Sequence, residues 1–207
     1  MAHYKNIIFD LGGVILNIDY ELTFKAFKNL GLKNFDTLFS KARQKELFDN
    51  FETGKYSADD FRNEIKKFHV SLTSHQIDHA WNSMLLDLPR ERLSLLSSLK
   101  NKYRLFLLSN TNTIHIDAYS DYLKNSYGFS DLSHIFEKQY YSFALGMRKP
   151  DAHTFDFVLK ENNLKASETL FIDDSPQHIE GAKKLGIQTY YLQKTETILN
   201  LFSVISE

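Results

Sequence analysis

A chain of 207 residues, 43% hydrophobic and 25% charged, is long enough to bury a substantial core and too apolar to be disordered. Its 25 Lys and Arg nearly balance its 26 Asp and Glu, and the net charge of −1 gives no electrostatic reason to expect a nucleic acid or an anionic membrane as partner. The absence of cysteine excludes disulfides, zinc-thiolate sites and thiol nucleophiles.

The N-terminus Met1-Ala2-His3-Tyr4-Lys5 leads directly into an apolar run without the features of a secretory signal. No stretch approaches the roughly twenty apolar residues that span a bilayer, so a cytoplasmic location is expected. Ile7-Ile8-Phe9-Asp10-Leu11-Gly12-Gly13-Val14-Ile15 reads as a buried strand of a parallel sheet, broken by one carboxylate and ended by glycines. Asp10 then sits at the strand's C-terminal tip, either capping a turn before glycine or facing the crevice where open α/β sheets bind ligands.

From Tyr20 to about Leu86 apolar residues recur at helical spacing, and no proline interrupts them. Leu22, Phe24 and Phe27 mark one helix, and Leu38, Phe39, Ala42, Leu47 and Phe51 another. Ser57 with Asp60 opens a third, carrying Phe61, Ile65 and Phe68. Thr73 or Ser74 opens a fourth, with Ile77, Trp81 and Leu85. Residues 16–88 therefore form a helical block inserted after the first strand. The Glu52-to-Tyr56 loop within it is either a solvated connection or a substrate contact, and Phe24, Phe27 and Trp81 fit a bundle core better than a binding face.

Beyond Pro89, which suits a helix first turn, buried strands alternate with helices: Leu105–Leu108, a short strand between Phe136 and Phe143, Leu170–Ile172 and Thr189–Leu192. Residues 1–15 and 89–207 thus read as a doubly wound parallel α/β sheet, with the helical bundle as an insert. Parallel strands bring Asp10, Ser109, Lys149 and the Asp173-Asp174 pair to one sheet edge. Clustered carboxylates there need a cation, and oxygen ligands with no His or Cys nearby favour Mg²⁺. Ser109 offers a hydroxyl, and the turn ahead of the next helix offers amides to an anion. Pro150 keeps Lys149 extended and fits a helix first turn, while Ser175-Pro176 reads as N-cap and first helical residue.

These motifs resemble those of the haloacid dehalogenase-like hydrolases. Phe9-Asp10-Leu11-Gly12-Gly13-Val14 is similar to the family's first motif, Leu107-Leu108-Ser109-Asn110 to its second, Lys149-Pro150 to its third and Ile172-Asp173-Asp174-Ser175 to its fourth. Leu145-Gly146-Met147-Arg148-Lys149-Pro150 and Asn110-Thr111-Asn112 resemble the branch that includes bacterial sugar-phosphate phosphatases of the α-glucose-1-phosphate type, whose cap domain the helical insert also resembles. The resemblance implies an Mg²⁺-dependent phosphatase acting on a small phosphate ester. Asp10 is implied as the nucleophile that forms an aspartyl-phosphate, with Ser109, Asn110 and Lys149 holding the phosphoryl oxygens. The implied metal ligands are Asp10, the Gly12 carbonyl and Asp174, with Asp173 acting through a water.

In one respect the chain departs from that pattern. Most phosphatases of this family carry a general acid/base aspartate two residues after the nucleophile, where this chain has Gly12. Losing that group costs something like 10²–10⁴ in rate. Asp19 is a candidate substitute, although a helix-capping Asp before Tyr20 is the commoner case, and His115 is a weaker one. Two other functions fit the same departure: a 2-haloacid dehalogenase, which uses the same nucleophile without a metal, and a binding module for a phosphorylated metabolite with little turnover.

Overall fold

The computed structural model describes residues 4–32 and 41–205. Five parallel strands form one sheet in the order β3-β2-β1-β4-β5. They are β1 (Asn6–Phe9), β2 (Arg104–Ser109), β3 (Lys138–Tyr141), β4 (Thr169–Asp173) and β5 (Gln188–Tyr191). The sheet is covered on both faces, so its inner strands are apolar throughout. Ile7, Phe9, Leu107 and Ile172 belong to the core on one face, and Ile8, Phe106, Leu108 and Phe171 to the core on the other. β1 lies at the centre, with β2 and β3 wound to one side of it and β4 and β5 to the other. That reversal opens a crevice at the C-terminal ends of β1 and β4.

The helical block comprises α1 (Tyr20–Asn29), α2 (Lys41–Glu52), α3 (Ala58–Lys66) and α4 (Ser74–Asn82). Phe27, Phe51, Phe61, Ile65, Ile77 and Trp81 build its own core. Capping boxes at Ser57 with Asp60 and at Thr73 with Gln76 open α3 and α4, as the sequence spacing predicts. Phe24 is 39% exposed, because α1 turns Thr23 and Phe27 inward instead. The expected apolar positions Leu38 and Phe39 lie outside the described residues. The strands of chain entering and leaving the block run side by side: Asn17 N donates to Asp87 O (2.9 Å), Asp19 N to Met84 O (2.9 Å) and Leu86 N to Asn17 O (3.0 Å).

The rest of the core carries α5 (Arg90–Leu99), α6 (Thr113–Tyr127), the single turn α7 (Ser142–Leu145), α8 (Ala152–Glu161), α9 (Pro176–Lys183) and α10 (Ile198–Ile205). Two expectations are corrected. Pro89 is the N-cap of α5 instead of a first-turn residue. Pro150, joined to Lys149 by a cis peptide bond, also precedes its helix, whose N-cap is Asp151. β3 lies within the stretch expected between Phe136 and Phe143, and α7 follows it directly. Among the described residues no helix is long and apolar enough to cross a membrane.

Candidate active site

Asp10 follows β1, and its backbone N–H donates to Ile172 O (3.0 Å), which holds it level with the end of β4. The residue is 8% exposed, and its Oδ1 accepts from Leu11 N (2.7 Å) and lies 2.9 Å from Lys149 Nζ. Lys149 is fully buried, at 0% exposure, and its ammonium also donates to Asp173 Oδ2 (2.7 Å). A buried lysine that meets two carboxylates remains charged: burial alone lowers its pKa, but Asp10 and Asp173 outweigh burial and raise it. Asn110 fixes the backbone beneath this ammonium. Its Nδ2 donates to Lys149 O and its Oδ1 accepts from Lys149 N, each at 2.9 Å.

Asp173 ends β4 with no exposed surface and a full set of partners. Oδ1 accepts from Ser175 N (2.7 Å), Oδ2 accepts from Lys149, and His178 Nδ1 lies 3.0 Å from both oxygens. Burial works against its charge, but Lys149 and His178 outweigh it and hold Asp173 down to about 2. Asp10 goes the other way. Burial pushes it up to about 7, with Asp173 and Asp174 adding to the rise and Lys149 opposing it. Asp174 is likewise raised, by burial and then by Asp173. Three carboxylates against one ammonium leave an excess of negative charge that suits a further cation.

The ammonium already fills the space between Asp10 and Asp173, although those carboxylates and His178 bring possible ligand atoms within 4.8 Å of one another. Gly12 and Asp174 line the cavity that Asp10 opens into, together with Ser109 and Asn110, and that cavity measures about 320 Å³. Gly13 adopts φ +76°, and a Cβ on it would collide with the Asp174 carboxyl group, so only glycine lets Asp174 approach this closely.

The expectation that no histidine lies near the carboxylates is overturned. His178, in the first turn of α9, reaches back to Asp173. A polar side chain three residues past a strand-tip N-cap is the signal that could have found it. The amide cradle ahead of α6 is partly taken up internally. Thr111 N donates to Ser142 Oγ (2.9 Å), and the Asn112 side chain accepts from His115 N (3.0 Å). Asp19 lies off this cavity and caps α1, its Oδ1 accepting from Glu21 N (3.0 Å). His115 does line the cavity, with Nδ1 2.9 Å from Asn82 Oδ1 and its ring stacked on Trp81 at 5.0 Å, and burial pushes its pKa down to about 3.

The helical block also reaches this cavity. Glu52, the last residue of α2, lines it with Tyr20 and Arg148. Arg148 Nη2 lies 3.0 Å from Glu52 Oε2, and Arg148 Nη1 meets Asp49. A Cβ at Gly54, which has φ +69°, would collide with Phe143 O, so the turn after Glu52 rests directly on α7.

A conserved-family model described as haloacid dehalogenase-like hydrolase matches residues 7–192, and the chain belongs to that family. It is similar to the D-ribitol-5-phosphate phosphatase of Bacteroides thetaiotaomicron, at 36% identity over 187 residues and 90% of each chain. Among solved structures it resembles a family enzyme from the same organism, in complex with magnesium and inorganic phosphate, at 36% identity and a TM-score of 0.87, covering 96% of this chain and 99% of the other. A haloacid dehalogenase-like hydrolase from Porphyromonas gingivalis superposes with a TM-score of 0.88 at 31% identity, covering 100% and 99%.

Proposed function

We propose that this chain is an Mg²⁺-dependent phosphoric monoester hydrolase acting on a small sugar or polyol phosphate through an aspartyl-phosphate on Asp10. The observation that carries the reading is the buried Lys149 ammonium on Asp10 and Asp173, at the edge of a cavity that Ser109, Asn110 and Asp174 also line. The named relative's substrate, a polyol phosphate, supports this choice of substrate class.

The donor set fits magnesium: carboxyl oxygens of Asp10 and Asp174 and the Gly12 carbonyl are the proposed ligands, and Asp173 is committed to Lys149, Ser175 and His178. The ion supplies charge neutralisation to the phosphoryl oxygens and keeps the buried carboxyls ionised. Lys149 and the Ser109 hydroxyl stabilise the phosphoryl charge that grows in the transition state. Asp10 Oδ attacks phosphorus in line, held in rotation by Leu11 N and Lys149. Asn110 acts through Lys149, fixing its backbone instead of touching the phosphate. Residues 16–88 act as a cap that bounds the cavity and excludes water.

The test is phosphate release from a panel of sugar and polyol phosphates, with Mg²⁺ and with EDTA, run beside halide release from 2-chloropropionate. The reading expects metal-dependent phosphate and no halide. The binding-module reading is favoured by Gly12 alone, and it predicts Mg²⁺-dependent ligand binding without phosphate release.

A further inference from the structure

An alkyl phosphate ester loses its alcohol only if the departing oxygen gains a proton as the P–O bond breaks, and Gly12 offers none. A Cβ at position 12 would make a tight contact, 3.1 Å, with Ile18 Cδ1, the end of a flexible side chain. If the phosphatase reading above holds, the proton must come from elsewhere on the cavity wall. Asp10 and Asp174 are committed to phosphorus and metal, and His178 is tied to Asp173. His115 is held neutral by burial, with its Nδ1 engaged by Asn82.

Glu52 remains. Its carboxyl comes from the helical block and lines the same cavity as Asp10, Ser109 and Asp174. The contact of Gly54 with Phe143 and the pairing of Arg148 with Asp49 lock that turn onto the core. Oε2 of Glu52 is buried, with no hydrogen-bond partner beyond the ion pair to Arg148 Nη2, 3.0 Å away. Two carboxylates, Asp49 and Glu52, share one guanidinium, and burial opposes ionisation more at Glu52, the less exposed of the two. Burial pushes Glu52 up to about 7, with Lys149 pulling the other way, and Tyr20 is the remaining titratable group beside it in the cavity.

We propose that Glu52 is the general acid and base of this hydrolase. As Asp10 Oδ bonds to phosphorus, the P–O bond to the alcohol breaks, and its electron pair takes the proton from Glu52 Oε. Water then attacks phosphorus, Glu52 accepts a proton from that water, and the P–O bond to Asp10 breaks. Ester and water become alcohol and phosphate, and both side chains return to their starting forms.

The test compares Glu52→Gln with wild type on two phosphate esters, a polyol phosphate and p-nitrophenyl phosphate, whose phenolate leaves unprotonated. With the polyol ester kcat falls about 10²–10³-fold, whereas with the aryl ester it falls less than about tenfold. The alkaline fall in the wild-type kcat profile disappears in the variant. Asp49→Asn, which hands the whole guanidinium to Glu52, moves that fall to lower pH. Equal losses on both esters, or an alkaline limb that survives in Glu52→Gln and stays put in Asp49→Asn, overturn the proposal. Wild-type protein that releases no phosphate from either ester with Mg²⁺ fails the phosphatase reading itself, a separate outcome.

Discussion

Asn110 and Lys149 are joined by two hydrogen bonds of 2.9 Å, the Asn110 side-chain amide pairing with both the backbone N–H and the carbonyl of Lys149. This pairing ties the loop after β2 to the loop before α8 and aims the ammonium inward. Asn110→Ala removes both bonds and leaves buried backbone groups unsatisfied, a loss of about 1–3 kcal/mol in urea unfolding. Phosphate release falls with it, and Asn110→Asp, which keeps the acceptor and loses the donor, falls between the two.

Lys149→Met leaves Asp10 and Asp173 buried without their cation, and it lowers stability at neutral pH by about 3–5 kcal/mol. In the native protein Asp173 is held down to about 2, below its ordinary value, so its stabilising contribution is present above the unfolded carboxylate range and is lost as pH falls through about 2. The variant lacks the part of that depression that Lys149 supplies and keeps the part from His178. Its stability deficit is therefore largest at neutral pH and narrows as the solution is acidified, which unfolding curves at a series of pH values will show.

Gly13→Ala places a methyl group against the Asp174 carboxyl at a residue with φ +76°. Asp174 must move. Mg²⁺ affinity measured by calorimetry drops at least about tenfold, and phosphate release drops with it. An alanine variant with native Mg²⁺ affinity removes Asp174 from the proposed ligand set.

Burial raises Asp10 to about 7 in the metal-free protein, so protons compete with Mg²⁺ there below that pH. Apparent Mg²⁺ affinity weakens as pH falls through about 7, and binding releases protons that buffers of different ionisation enthalpy reveal. Affinity that is flat across this range speaks against Asp10 as a ligand.

Much of this site could be read from the order of strands and polar residues, because parallel strands carry Asp10, Ser109 and Asp173 to one edge whatever lies between them. Lys149 was legible only as a strand-end lysine before proline. Its grip on both carboxylates depends on Asn110, a partner 39 positions away, which no local pattern encodes. For different reasons, His178 escaped and Glu52 was legible only as the start of a loop read as either a solvated connection or a substrate contact. The first reaches the site from within a helix turn, and the second arrives from another packing unit whose placement depends on the contact of Gly54 with Phe143. Phe24 shows the limit of periodicity: its spacing fits α1, but the helix turns a neighbouring face inward.

The most direct test of the account is an acid quench during a single turnover of a sugar or polyol phosphate with Mg²⁺, followed by peptide mass analysis. The account predicts a phosphoryl group on the peptide that carries Asp10, present in wild type and absent in Asp10→Asn. Phosphate release with no phosphorylated peptide at any time point, or with the phosphoryl group on another residue, contradicts it.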